Sequence, residues 1–368
     1  MVSPQTFTSI VIFTLLSFSD AAFKQPKPKA ILLSINKNET TLNYYTYVQF
    51  KNTLVDSLID LGAQSVWRRG LPRPGCSNNT CGVFAYNPLR EYLTAQELGE
   101  DTMVIDSTDG WFIMYSYDLP KFQFSCADSA IVEGLPGDYA TKGLGAYIFI
   151  GGGPYYMRPI TEDLSMSLVY TPLVINPVST APIYSVGDPS DEYFINVKDI
   201  EISGNRVSFS RSLLSFDKNG VGGTKISTVV PYTILHASIY KRLVKDFVKE
   251  AALYNMKRVT SVAPFGACFN SKNVPKTITG PAVPNIDLVL DGKTVRMRLY
   301  SANSMVEVKK NVICLAFIDG GVEPRTSIVL GGHQLENYIL EFDLVKERLG
   351  LSSSLLVRNT SCTHSRIF

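Results

Sequence analysis

The chain has 368 residues, 45% of them hydrophobic and 18% charged, with a formal charge of +2. At about 150 residues per domain this gives two domains with ample core, and so small a net charge excludes electrostatic binding to nucleic acid or an anionic membrane as the main role. With 26 Gly, 20 Pro, 19 Tyr and 19 Phe, the chain reads as β-rich and turn-rich, not as bundled helices.

The first segment, MVSPQTFTSIVIFTLLSFSDAAFKQ, carries an apolar run over residues 10–18 followed by the small residues Ala21 and Ala22. The run is too short to span a bilayer and is expected to be a secretory signal peptide over residues 1–22, although its start lacks the usual basic residue. Secretion agrees with three glycosylation sequons, at Asn38, Asn78 and Asn359. It also lets cysteines pair. The six cysteines (Cys76, Cys81, Cys126, Cys268, Cys314 and Cys362) match no zinc spacing, and His236, His333 and His364 are scattered. Neither a metal, nor a cofactor, nor a histidine-centred nucleophile is expected.

The elements then follow as strands: AILLSI, YYTYVQF, SLIDLG and SVW, the second with the alternation of a half-buried strand. RRGLPRPGCSNNTCGVF reads as a loop closed by a local Cys76–Cys81 bridge, and TMVIDSTDGWFIMYSY as a hairpin turning at Thr108-Asp109-Gly110. A Pro- and Ser-rich stretch, LVINPVSTAPIYSVGDPSDEY, marks a boundary near residue 190. It divides an N-terminal lobe, 23–188, from a C-terminal lobe, 189–368. In the second lobe EYFINVKDIEISGNRVSF predicts a hairpin turning at Gly204-Asn205, and AVPNIDLVLDGKTVRMRLY another at Asp291-Gly292. Between them SIYKRLVKDFVKEAALYN predicts an amphipathic helix with Leu243, Phe247, Val248 and Ala251 on one face. SIVLGGHQLENYILEFDLVKERLGLSS reads as strand, Gly turn, strand, turn, strand.

Two mostly-β lobes of similar grammar point to an internal duplication. Asp60 stands after an apolar strand and before a Gly, a common mounting for an acid-base carboxylate. The matching stretch of the second lobe, GGTKISTVVPYTILHASIYKRL, has Ser227 where a second Asp would stand. The paired carboxylates are incomplete.

With these triplets, Asp60-Leu61-Gly62 and Ser227-Thr228-Val229, the chain resembles the pepsin-like aspartic peptidases, in which two Asp share a proton across a cleft. VAPFGACF, GVGGTKISTVVPYTILHASIYK and FIDGGVEPRTSIVLGGHQLEN resemble one plant branch of them. It comprises basic 7S globulins, extracellular dermal glycoproteins, and proteinaceous inhibitors of xylanases and xyloglucan endoglucanases. The resemblance implies a mostly β, bilobal pepsin-like fold, here with a shortened N-terminal lobe. It implies an extracellular, catalytically inactive protein that binds a microbial glycoside hydrolase. A storage or peptide-binding globulin is the alternative, and a residual aspartic endopeptidase the third reading. It also implies a Cys268–Cys314 bridge and leaves Cys126 and Cys362 without an assigned pairing.

Inhibitors of this kind place a basic or bulky side chain between two catalytic carboxylates of the target, a charge-assisted contact. The resemblance puts Arg358 in one such loop. In the other, SKNVPKTITGPAVP, Ile278 stands where Arg is usual, with Lys276 two residues before it. Plainer readings stand beside these: Asp60 as a strand-end carboxylate satisfied by backbone N–H groups, Ser227 as a filler hydroxyl, Arg358 as a solvated charge.

Overall fold

In β1 (Ala30–Lys37) Ala30, Leu32 and Asn36 are buried and the residues between them half-buried, an alternation broken only by the exposed Ser34. The structure is a computed structural model that describes residues 27–50, 53–61, 82–87, 92–125, 142–180 and 189–362. β2 (Tyr44–Phe50) lies antiparallel to β1, and β3 (Thr53–Leu58) folds back on β2 from Phe50↔Thr53 to Tyr45↔Leu58. Beyond β4 (Gly82–Asn87), the long strands β5 (Tyr92–Thr108) and β6 (Ile113–Ser125) form one hairpin. β7 (Lys142–Ile150) pairs with β1. The sheet order is β3-β2-β1-β5-β4, with β6 on β5 and β7 on β1.

The β5–β6 hairpin turns through residues 109–112, one residue longer than the Thr108-Asp109-Gly110 turn the sequence predicts. Asp109 explains it: its Oδ1 accepts from the N–H groups of Trp111 (2.8 Å) and Phe112 (2.9 Å). Those donors, Phe112 foremost, hold its carboxyl below the usual range.

The C-terminal lobe is built on an eight-stranded sheet and two four-stranded ones. Val169–Val174 already belongs to the large sheet, where it pairs with Arg348–Leu351 and Phe194–Ile195. The boundary near residue 190 adjoins residues 181–188, which lie outside the described residues. The signal peptide, Cys76, Asn78, Cys81 and Cys126 lie outside them as well.

The helix Ala237–Leu253 buries Ile239, Leu243, Phe247 and Ala251, a stripe four residues apart, and Val248 packs at its margin. His236 caps it, Nδ1 accepting from the Ser238 N–H at 3.1 Å. This stripe joins a continuous core with Phe269, Ile286, Leu299 and Leu330. Cys268 and Cys314 face each other on paired strands and form a disulfide. The hairpin after Val197–Ile202 turns at Ser203-Gly204, one residue earlier than predicted. Both residues have positive φ, 49° and 83°, as a two-residue hairpin turn of this type requires, and Gly204 meets that at no steric cost.

Candidate functional site

The strand β3 stops at Leu58, two residues short of Asp60, so the carboxylate stands on the turn beyond the strand. It is half-buried. Across from this turn lies the segment after Thr224–Ile226. Thr228 Oγ1 donates to the Ile59 carbonyl at 2.5 Å and accepts from the Leu61 N–H at 3.1 Å. One hydroxyl thus clasps the other lobe's turn twice. Leu61 offers no hydroxyl in return; its side chain packs instead against the C-terminal core.

Ser227, the residue beside the clasp, is 7% exposed. Its Oγ accepts from the N–H groups of Val229 (3.2 Å) and Val230 (3.5 Å). The hydroxyl caps its own turn, a local role typical of serine. Asn43 adds a further contact between lobes, Nδ2 donating to the Val229 carbonyl at 2.7 Å.

A second junction is centred on Glu336, just after the short helix Gly332–Leu335. Its Oε1 accepts from Lys37 Nζ and from the Tyr44 hydroxyl, each at 2.6 Å, and both donors belong to the N-terminal lobe. Burial first and Glu336 second push the Tyr44 hydroxyl far above its ordinary pKa. His333, on the same helix, has Nε2 at 3.0 Å from the Met305 carbonyl and Nδ1 at 3.8 Å from Glu336. Burial lowers its pKa below the usual histidine range, with Glu336 opposing.

The two loops singled out in the sequence sit on one frame. Lys276–Thr277 and Gly280–Pro281 form a tight hairpin with Lys276 and Ile278 exposed, Ile278 at 61%. The hairpin is pinned at Thr279, whose carbonyl accepts from Ser301 Oγ (2.8 Å) and the Ala302 N–H (2.9 Å). The next residue, Asn303, is fully buried, and its Nδ2 donates to the carbonyls of His333 (3.1 Å) and Glu336 (2.8 Å). Asn337 follows, and its carbonyl accepts from the Leu355 N–H at 2.8 Å. Leu355–Arg358 is the turn that ends in Arg358. Arg358 is half-exposed, its guanidinium 3.4 Å from the exposed carboxylate of Glu162. Hydrogen bonds and the short stretches of chain 301–303 and 336–337 between them therefore link the Ile278 hairpin, Glu336 and the Arg358 turn.

The sequons fare differently. Asn38 is 2% exposed, and its Oδ1 accepts from the N–H groups of Thr40 and Thr41, both at 2.9 Å. The Asn38 side chain is thus enclosed in the folded chain. Asn359 is exposed, next to Arg358, with φ of 54°. Among the described residues no three His, Cys, Asp or Glu side chains are grouped to hold a metal, and no helix is long and apolar enough to cross a membrane. The sequence reading missed Lys37, Tyr44, Asn303 and Glu336. Glu336 lies inside the GGHQLEN motif, but its partners are 299 and 292 residues away, so no local pattern signals its role.

Comparison with known proteins adds the wider context. Residues 192–353 match the family model described as xylanase inhibitor C-terminal. A protein of Nicotiana benthamiana named "Probable aspartic proteinase GIP2" is 40% identical, the match covering 92% of this chain and 92% of that one. "Gamma conglutin 1" of Prunus dulcis is 36% identical over 79% of this chain and 71% of its own length. Among solved structures, that of edgp superposes with a TM-score of 0.83 at 37% identity, covering 93% of this chain and 99% of that one. Soybean basic 7S globulin gives a TM-score of 0.70 at 26% identity, with 93% and 100% covered.

Proposed function

This chain belongs to the plant pepsin-like family that holds the basic 7S globulins, gamma conglutins and xylanase-inhibitor-type proteins, and from that premise we propose that it is a secreted, catalytically inactive member that binds and inhibits a microbial cell-wall-degrading glycoside hydrolase. The observation that carries the reading is the shared frame beneath the two exposed loops. Thr279, Asn303 and Asn337 tie the Ile278 hairpin and the Arg358 turn to the same segment. A rigid, two-loop surface loses little freedom on docking, which favours tight association.

Arg358 is the anchor of this reading. Its partner Glu162 is 76% exposed, and such ion pairs contribute about 0–1 kcal/mol. A glycosidase with two carboxylates in a closed cleft offers the guanidinium a stronger, doubly charged and better desolvated site. On the other loop Ile278 supplies an apolar contact and Lys276 a charge. A glycan on Asn359, next to the anchor, would compete with docking. Inactivity as a peptidase rests on Ser227: its hydroxyl is engaged by two backbone N–H groups, and a serine is not ionised at any working pH. A water on Asp60 then lacks the second carboxylate that the reaction needs.

A storage or peptide-binding globulin is the second reading, favoured by Ile278 standing where inhibitors of the xyloglucanase type carry Arg, and by the names of several relatives. The test is titration of one fungal xyloglucan endoglucanase and one fungal xylanase with the purified mature protein. Stoichiometric loss of either activity supports inhibition. Full activity of both in the presence of folded protein favours the globulin. Peptide hydrolysis blocked by pepstatin would overturn both.

A further inference from the structure

At the Thr228 clasp a half-open cavity of about 580 Å³ is lined by residues of both lobes, Leu61, Thr228 and Glu341 among them. Its size is that of a small-molecule pocket. Its walls are apolar and aromatic. Among the lining residues Phe149 packs edge-on with Tyr155 at 5.4 Å, and Tyr193 packs with Phe342 at 4.6 Å.

The charged side chains lining it among the described residues are two carboxylates, Glu336 and Glu341. Glu336 is neutralised by Lys37 at 2.6 Å. Glu341 has no cationic partner among the described residues: it accepts from the hydroxyls of Tyr155 (2.9 Å) and Tyr170 (2.8 Å). The nearby Arg348 lies 3.8 Å over the Tyr170 ring and is committed to Asp343 at 2.9 Å. Asp163, the other carboxylate beside Tyr155, is satisfied by the Tyr155 and Ser165 N–H groups and the Ser165 hydroxyl. Two donors leave a carboxylate further lone pairs for a ligand. Its charge is therefore uncompensated at the wall of an apolar, aromatic chamber, where an ionic hydrogen bond is least screened.

We infer that this cavity binds a small organic cation: a protonated amine seated on Glu341, with its aromatic or alkyl body against the Phe149–Tyr155 and Tyr193–Phe342 pairs. Tyrosine and phenylalanine faces add cation–π attraction to the carboxylate. Neither Ile278 nor Arg358 lines the cavity, and the assignment does not depend on the inhibitor reading.

Calorimetric titration of the wild-type protein with three isosteric probes tests it: 4-phenylbutylamine, 4-phenylbutan-1-ol and 4-phenylbutyrate. The amine is expected to bind one-to-one, at least about tenfold more tightly than the alcohol, since a charged hydrogen bond is worth more than a neutral one. The butyrate is expected to give no binding. Glu341→Gln should bring the amine to the affinity of the alcohol, and Met157→Trp, which fills the chamber from its wall, should remove both. Equal affinity of amine and alcohol for the wild type overturns the assignment. So does tighter binding of the butyrate, or the absence of any amine binding.

Discussion

The two lobes are held by different means. The C-terminal lobe closes on itself, with a continuous apolar core, a fully buried helix face and the Cys268–Cys314 bridge. The strands β1–β7 form one sheet, and its contacts with that lobe include Thr228 on Ile59 and Leu61, Asn43 on Val229, and Glu336 on Lys37 and Tyr44. At this junction Thr228 clasps the turn of the other lobe, Ser227 caps its own turn, and Leu61 makes apolar contact with the neighbouring core.

The comparison breaks most sharply at the disulfide. Replacing Cys268 and Cys314 by Ala opens a cross-link spanning 46 residues and is expected to cost about 4 kcal/mol by chain entropy. Denaturant unfolding would read this, and a loss below about 1 kcal/mol would show that the C-terminal lobe closes without the bridge. Next comes Glu336→Gln, which leaves Lys37 and Tyr44 without their shared carboxylate and is expected to cost about 2 kcal/mol. Calorimetry should then split one unfolding transition into two, the N-terminal lobe leaving first. A single transition, merely shifted, would mean that the lobes do not rely on this junction.

Thr228→Val strips the Ile59 carbonyl and the Leu61 N–H of their partner and should cost about 1–2 kcal/mol. The same calorimetric splitting, in weaker form, is the expected signature. The smallest effect concerns His333. Its folded pKa lies below its unfolded one, so the unfolded chain takes up the proton first as pH falls. Stability from this group is present above about pH 6.5 and declines below it, where the unfolded histidine charges. The melting temperature of wild type should therefore fall more between pH 7 and pH 5 than that of His333→Gln. Parallel curves would contradict it.

Much of the fold was legible because it is local. β1, β2 and the helix Ala237–Leu253 announce themselves by period, and hairpins by their Gly turns, displaced by a residue where a second left-handed position such as Ser203 was needed. The junctions were not legible. Glu336 and Lys37 look like ordinary polar residues until chain segments 299 residues apart meet, and Asn303 until segments 30 and 33 residues away fold onto it. The sequon at Asn38 is read from three residues, whereas its burial is decided by the rest of the lobe. Arg358 and Ile278 were reached through family resemblance, and only the hydrogen-bond frame beneath them gives that a physical footing.

The most direct measurement compares wild type, Arg358→Ala and Ile278→Arg in titrations of a fungal xyloglucan endoglucanase and a fungal xylanase. The account predicts stoichiometric inhibition of one enzyme by wild type, weakened about a hundredfold or more by Arg358→Ala, the loss expected of a central buried anchor, and unchanged or tightened by Ile278→Arg. Inhibition that survives Arg358→Ala undiminished, or no inhibition by any of the three folded proteins, would contradict it.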